Sequence, residues 1–213
     1  MNAKFQTYME LLKEWNTRMN LTAITADADI ELKHFKDSLS ILPYIEGGTL
    51  VDVGTGAGFP GMPIAIERPD IFVTLVDSLD KRVKFLQCVV DTLGLKNVEC
   101  IHARAEDFGR NPVYREKYDY AAARAVASMP VLLEYCLPLL KNGGRFIAMK
   151  GANASEEKFD NALSILGGRL VQKDTFLLGN SDMQRCVFVV EKFRHISSKY
   201  PRKSGIPVKK PLV

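Results

Sequence analysis

Val51-Asp52-Val53-Gly54-Thr55-Gly56-Ala57-Gly58-Phe59-Pro60-Gly61 decides the fold: an apolar β-branched run stops abruptly in glycines, and the chain then resumes a helical pattern over 61 to 68. Gly54, Gly56 and Gly58 let the backbone turn tightly and come close to a ligand, while N–H groups at the start of the next helix face it. The stretch reads as a cofactor loop. It also contains Gly56-x-Gly58-x-x-Gly61, the spacing of a dinucleotide-binding turn, so a nicotinamide cofactor competes. Asp52, two residues before the first glycine, separates the two. A carboxylate there repels a pyrophosphate and meets a cationic ammonium. S-adenosylmethionine carries an ammonium and a sulfonium and no phosphate, and so suits the loop better.

Outward from the loop, strand and helix alternate. The pattern predicts strands near 49 to 53, 71 to 76, 97 to 101, 118 to 122 and 144 to 149, with helices near 61 to 68, 79 to 93, 128 to 140 and 155 to 166. Two further strand-like runs, Arg169 to Leu178 and Arg185 to Phe193, flank the turn signal Gly179-Asn180-Ser181-Asp182 and predict an antiparallel hairpin. The expected fold is α/β, a Rossmann-like, seven-stranded and mostly parallel sheet that ends in an antiparallel hairpin, as in class I methyltransferases. Before it, Phe5, Tyr8, Met9, Leu12, Trp15 and Met19 recur at helical spacing, and a second helix is expected at about 29 to 42. The expected organisation is an N-terminal helical extension (1–48), a cofactor-binding domain (49–193) and a basic tail (194–213).

Hydrophobic content of 46% and charged content of 25% are those of an ordinary globular protein. With no long apolar run and no signal-peptide pattern, a cytoplasmic protein without membrane contact is expected, working as a monomer. Cys88, Cys100, Cys136 and Cys186 are scattered, with no histidine at a ligand spacing, so no metal site is expected. The net charge of +4 is uneven. From Lys192 onward there are seven basic residues and no acidic one, leaving 22 basic against 25 acidic residues in the rest. A mildly acidic body with a basic tail points to a polyanionic partner met partly by the tail.

The strand ends carry the remaining chemistry. Asp77, closing the second strand, can accept hydrogen bonds from both ribose hydroxyls; its alternative role, capping the next helix, can be served by Ser78. After the third strand, Arg104-Ala105-Glu106-Asp107 offers a backbone N–H and a carboxylate to an adenine edge. Arg124, among alanines after the fourth strand, suits a carboxylate, a phosphate or a guanine edge. The (Asn/Asp)-Pro-Pro-(Tyr/Phe) loop of exocyclic-amine methylation is absent there, and so is the cysteine that pyrimidine carbon-5 methylation needs.

Several stretches together resemble the glucose-inhibited division protein B family: Asp52 to Gly61, Asp77-Ser78 with Lys81-Arg82-Val83 and Phe85-Leu86, Ala123-Arg124-Ala125, Met149-Lys150-Gly151, and Tyr200-Pro201-Arg202-Lys203-x-Gly205-x-Pro207. Trp15-Asn16, Asn20-Leu21-Thr22 and His34-Phe35-x-Asp37-Ser38-Leu39 extend the resemblance to the front of the chain. It implies a bacterial enzyme that methylates N7 of a guanine in 16S ribosomal RNA, with S-adenosylmethionine as cofactor and the small ribosomal subunit or its RNA as partner. It also implies that Gly54 and Phe59 line the cofactor, Asp77 holds the ribose, Ala105 and Glu106 the adenine end and Arg124 the reacting end. Lys150, Arg202 and Lys203 would then face RNA, and His34 would be structural or RNA-facing. Guanine N7 has a free lone pair and no proton, so no general base is required and none is assigned. A nicotinamide-dependent oxidoreductase and a non-catalytic RNA-binding module that kept the fold are the alternatives.

Overall fold

The computed structural model describes residues 2–124, 127–151 and 157–213. Ala125 and Val126, and the first two residues of the helix expected over 155 to 166, lie outside the described residues. Strands β1 (Gly48–Val53), β2 (Ile71–Asp77), β3 (Val98–His102), β4 (Tyr118–Arg124), β5 (Leu140–Gly151), β6 (Gly168–Leu177) and β7 (Gln184–Lys192) form one sheet in the order β3-β2-β1-β4-β5-β7-β6. The first five pair in parallel, and β7 runs antiparallel to both β5 and β6. The strand order reverses between β1 and β4, and such a switch point opens a crevice at the carboxyl ends of the strands. The predicted fold class and hairpin are what the structure shows.

Alternation along β1 decides which side chain reaches which face. Leu50 packs in the core beneath α4 (Gly61–Glu67) and α5 (Asp80–Leu93), whereas Val51 and Val53 pack in the opposite core with α6 (Ala105–Arg110), α7 (Met129–Cys136) and α8 (Asp160–Leu166). Asp52 therefore points to the Leu50 side. A continuous apolar strand buried on both faces is what a parallel sheet covered by helices requires.

The N-terminal helix α1 (Ala3–Met19) starts at Asn2, whose side chain accepts a hydrogen bond from Phe5 N–H. Its apolar face joins the core of the sheet domain: Tyr8 stacks near Phe35, Phe59 and Phe85, and Trp15 packs on Phe85. The second predicted helix is more complex. Two short α-turns, α2 (Asp27–Ile30) and α3 (Asp37–Leu39), flank a π-helical stretch, Glu31–Lys36, and a 3-10 turn follows at Leu42–Tyr44. Among the described residues no helix is long and apolar enough to cross a membrane, and no cluster of side chains could hold a metal ion.

Candidate functional site

The glycine loop hangs from the end of β2, where the N–H groups of Gly54 and Thr55 both donate to the Val76 carbonyl at 2.9 and 3.1 Å. The glycines do different jobs. Gly56, at φ +63°, has open space where a Cβ would stand, and its N–H donates to Asp77 Oδ2 at 2.9 Å. Gly58, at φ +101°, faces protein: a Cβ there would crowd Leu86 at 2.9 Å, Met62 at 3.1 Å and the Tyr8 hydroxyl. Tyr8 in turn donates to the Ala57 carbonyl. Gly58 is thus glycine because α1, α4 and α5 all close on the loop there, a constraint separate from the expected close approach to a cofactor.

Asp52 is fully buried. Its Oδ2 accepts from Thr55 Oγ1 at 2.6 Å and from Gly61 N–H at 2.8 Å, while Oδ1 has no partner among the described residues. Burial pushes its pKa up to about 6, against the lowering pull of those two hydrogen bonds and of Arg124. An orphaned buried carboxylate oxygen is costly, and a ligand ammonium is the kind of donor that would offset the cost.

Two cavities open near the carboxyl ends of the strands, and Asp52 itself is in the lining of neither. The first, about 290 Å³, lies at the carboxyl ends of β1, β2 and β3 and is walled by Val53, Gly54, Val76, Asp77, Ala105 and Glu106, with Val208 from the tail at one side. Asp77 accepts from Leu79 N–H at 2.9 Å as well as from Gly56, and Arg82 lies 3.4 Å from its Oδ2. Asp77 therefore closes a turn at Leu79 while lining the cavity, and neither it nor Ser78 caps α5, whose N-terminus has no side-chain cap. Glu106 is buried, and its Oε1 accepts from Gly205 N–H at 2.8 Å and from the Tyr135 hydroxyl at 3.3 Å, so this oxygen serves the tail.

The second cavity, about 350 Å³, is walled by Ile24, Lys33, His34, Asp37, Arg124, Met149, Lys150, Gly151 and Arg185. Asp37, 3% exposed, holds two guanidinium groups: Arg124 Nη1 at 2.9 Å on one oxygen and Arg185 Nε at 2.7 Å on the other. Arg124 also donates to the Lys33 carbonyl and to His34 Nδ1, each at 3.1 Å. Since a guanidinium only donates, Nδ1 of His34 is bare, and Nε2–H donates to Thr22 Oγ1 at 2.8 Å. Burial, with Arg124 beside it, lowers the His34 pKa to about 4. The ring stacks on Phe59 with centroids 4.3 Å apart, and the Arg124 guanidinium lies 5.0 Å from the Phe59 centroid. Lys150 of the second cavity donates to the carbonyl of Ala127, which lines the first, at 2.7 Å, so one hydrogen bond links the two linings.

Residues 1–180 match the family model for rRNA small subunit methyltransferase G. The chain belongs to that family. It is 57% identical to the ribosomal RNA small subunit methyltransferase G of Acetivibrio thermocellus, over 98% of this chain and 88% of that protein. It is 50% identical to the protein of the same name from Alkaliphilus metalliredigens, over 97% and 88% of the two chains. In fold it is similar to the crystal structure of M. jannaschii TYW2 in complex with AdoMet, at a TM-score of 0.54 and 18% identity over 71% of each chain.

The predicted site residues separate. Gly54, Asp77, Ala105 and Glu106 line the first cavity; Arg124, Lys150 and His34 line the second. Asp52, Gly56, Gly58 and Phe59 are in neither lining; the Phe59 ring packs among Tyr8, Phe35, His34 and Arg124. Three residues expected to face RNA, Arg202, Lys150 and His34, have partners within the protein. Arg202 is clamped to the fully buried Glu134 by Nε at 2.9 Å and Nη2 at 2.6 Å, with its backbone N–H on the same carboxylate at 2.7 Å. Lys150 is paired with Glu157 at 2.9 Å and is 8% exposed, and His34 is an interior ring. Lys203 is exposed. The tail is docked rather than extended: Ile196, Tyr200, Pro201 and Pro207 are buried, and Arg115 donates to the carbonyls of Ile196 and Tyr200 at 2.8 and 2.7 Å. Sequence reasoning missed Arg185 and Asp37 as a pair, because 148 residues separate partners that meet only when β7 lies beside the π-helical stretch.

Proposed function

We propose that the chain transfers a methyl group from S-adenosylmethionine to N7 of a guanine in the 16S RNA of the small ribosomal subunit, work that belongs in the cytoplasm. The observation that carries this reading is that two cavities of opposite character are linked by the hydrogen bond from Lys150 to the Ala127 carbonyl. One offers carboxylates and backbone N–H groups; the other sets four cations, Lys33, Arg124, Lys150 and Arg185, against Asp37. Bound S-adenosylmethionine supplies an electrophilic methyl group on a sulfonium. The residues present fit that cofactor: Asp77 would hold the ribose, Gly54 and Gly56 would allow close approach, and Ala105 with the apolar wall would take the adenine. Asp52 would meet the amino-acid ammonium with its orphaned Oδ1, a role for which the nicotinamide reading has no use.

On the acceptor side, Arg124 and Arg185 are held by Asp37 where they can neutralise a phosphate or read a guanine edge. His34 has both ring nitrogens engaged and a depressed pKa, so it orients Arg124 and moves no proton. That suits N7, whose lone pair is free. The remaining demand is alignment of nucleophile and methyl group, which can supply about 7–11 kcal/mol of a barrier when the geometry is well held.

The test is methyl transfer from labelled S-adenosylmethionine to small-subunit particles and to naked RNA, followed by borohydride and aniline cleavage, which cuts at N7-methylguanosine. Label at one guanine with cleavage there is the expected result. Label without cleavage would overturn the acceptor atom, and no label on either substrate would overturn the activity.

A further inference from the structure

The tail presents two faces, and only one of them is basic. Lys203, Lys209 and Lys210 are exposed on the outside. On the inside, Gly205 and Val208 form part of the wall of the first cavity, opposite Gly54 and Asp77. Val208 is 61% exposed, an apolar side chain left open at a cavity mouth. It stands on the short helix α9 (Ile206–Lys209), which begins at Gly205 with φ +80°.

Three fastenings set this wall. The Arg202 fork and backbone N–H close on Glu134, a carboxylate of α7 with no exposure. Gly205 N–H closes on Glu106, whose own residue lines the cavity. Upstream, Pro201 fits against Gly109 of α6 so closely that a Cβ on Gly109 would stand 2.9 Å from Pro201 Cγ. A solvated RNA-binding arm needs none of these, and a bidentate pair to a buried carboxylate leaves the Arg202 guanidinium no fork for a phosphate.

We infer that the C-terminal tail is a structural wall of the cofactor site, with Gly205 and Val208 as ligand-contacting positions and the Arg202–Glu134 clamp as the positioning pair that sets them. The inference rests on the reading of the first cavity as the S-adenosylmethionine site. By the chemistry of its lining, carboxylates at one end and Val53, Val76, Ala103, Ala105 and Val208 around the rest, the tail covers the flat, largely apolar adenine part of the ligand. Binding should therefore tighten the tail, and loosening the tail should weaken binding.

The experiment uses the full chain and S-adenosylhomocysteine as the probe, titrated calorimetrically, with thermal midpoint and RNA binding against salt measured in parallel. Val208→Asp, at an exposed position, is expected to raise the Kd about tenfold with an unchanged midpoint, since it replaces apolar cover with a charge beside the ligand. Arg202→Ala is expected to raise the Kd by a similar factor without changing the salt slope of RNA binding, and Arg202→Lys to recover part of the loss. Amide exchange over residues 203–209 should slow when the probe is bound. If the wild type binds the probe and Val208→Asp binds it equally well, with exchange in the tail unchanged, the inference is overturned alone. If the wild type does not bind the probe at all, the reading of the cavity falls and takes the inference with it.

Discussion

The two cavities linked by the hydrogen bond from Lys150 to the Ala127 carbonyl are preorganised by different means. In the first, the polar groups are owned by the backbone: Asp77 is fixed by the N–H groups of Gly56 and Leu79, and Glu106 by that of Gly205. In the second the two arginines are held by one buried side chain, Asp37, while Lys150 pairs with Glu157 and Lys33 with Asp29. Backbone ownership gives a rigid, shape-selective pocket, as a small and invariant ligand requires. A carboxylate shared by two guanidinium groups gives a cationic surface that a phosphate can enter by pairing with either one. The division predicts that substitutions on the two sides have separable effects.

The largest expected effect is that of Asp77→Ala. It removes the candidate ribose acceptor and also strands two loop N–H groups, and hydrogen bonds to a charged acceptor contribute roughly 1.5–3 kcal/mol each. Cofactor affinity should fall by about 100-fold or more, with RNA affinity within about twofold of wild type. Calorimetry and filter binding would show it, and a parallel loss of RNA binding would break the division. Next is Arg185→Gln, whose effect should be the mirror image: RNA binding weaker by about tenfold and a salt slope smaller by roughly one, with the cofactor Kd unchanged. An unchanged slope would remove Arg185 from the phosphate-facing set.

Most of the first cavity was legible in the sequence, and most of the second was not. Gly54, Asp77 and Ala105 follow strands in a parallel sheet, and topology places strand ends together, so their convergence could be read from order alone. Arg124 was legible for the same reason. Its partners were not, because the π-helical stretch Glu31–Lys36 has no periodicity signal of its own and Arg185 arrives from the hairpin at the far side of the sheet. Asp52 was singled out by its place before the glycines, but not its burial, although the period-two alternation that puts it on the Leu50 side was in the sequence. The tail misled for a physical reason: charge counts do not distinguish an arginine facing solvent from one clamped on a buried glutamate 68 residues away.

A smaller effect should come from Asp52, through pH. Its pKa near 6 in the unliganded fold means that below this value the carboxyl group proposed to meet an ammonium is protonated. Cofactor affinity should thus be about fourfold weaker at pH 5.5 than at pH 7.5, and Asp52→Asn should bind weakly with no such dependence. Unliganded stability runs the other way. The folded pKa lies above the usual 3.8, so this contribution is fully present below about pH 4 and is lost as pH rises through 6, by about 3 kcal/mol in all. His34, lowered to about 4, acts oppositely in an overlapping window, costing stability as pH falls from 6.5 to 4. Total stability therefore hides both, and the difference between wild type and Asp52→Asn, measured by denaturant melts across pH 4 to 8, isolates the first. A difference that does not grow with pH would show that the carboxylate is not strained.

The smallest effect separates two neighbours. Arg202 and Lys203 stand side by side in a basic stretch, yet one is spent on Glu134 and the other is exposed. A cation free in solvent contributes to RNA binding mainly by releasing counterions, so Lys203→Ala should weaken RNA binding about twofold near physiological salt and lower the salt slope by a little under one. Arg202→Ala should leave that slope as it is and act on the cofactor instead. The two substitutions remove the same formal charge from adjacent positions. If both lower the slope equally, net charge governs the tail and the clamp contributes nothing to how it meets RNA; if only Lys203→Ala does, the division between a cofactor side and an RNA side runs through the tail itself, between one residue and the next.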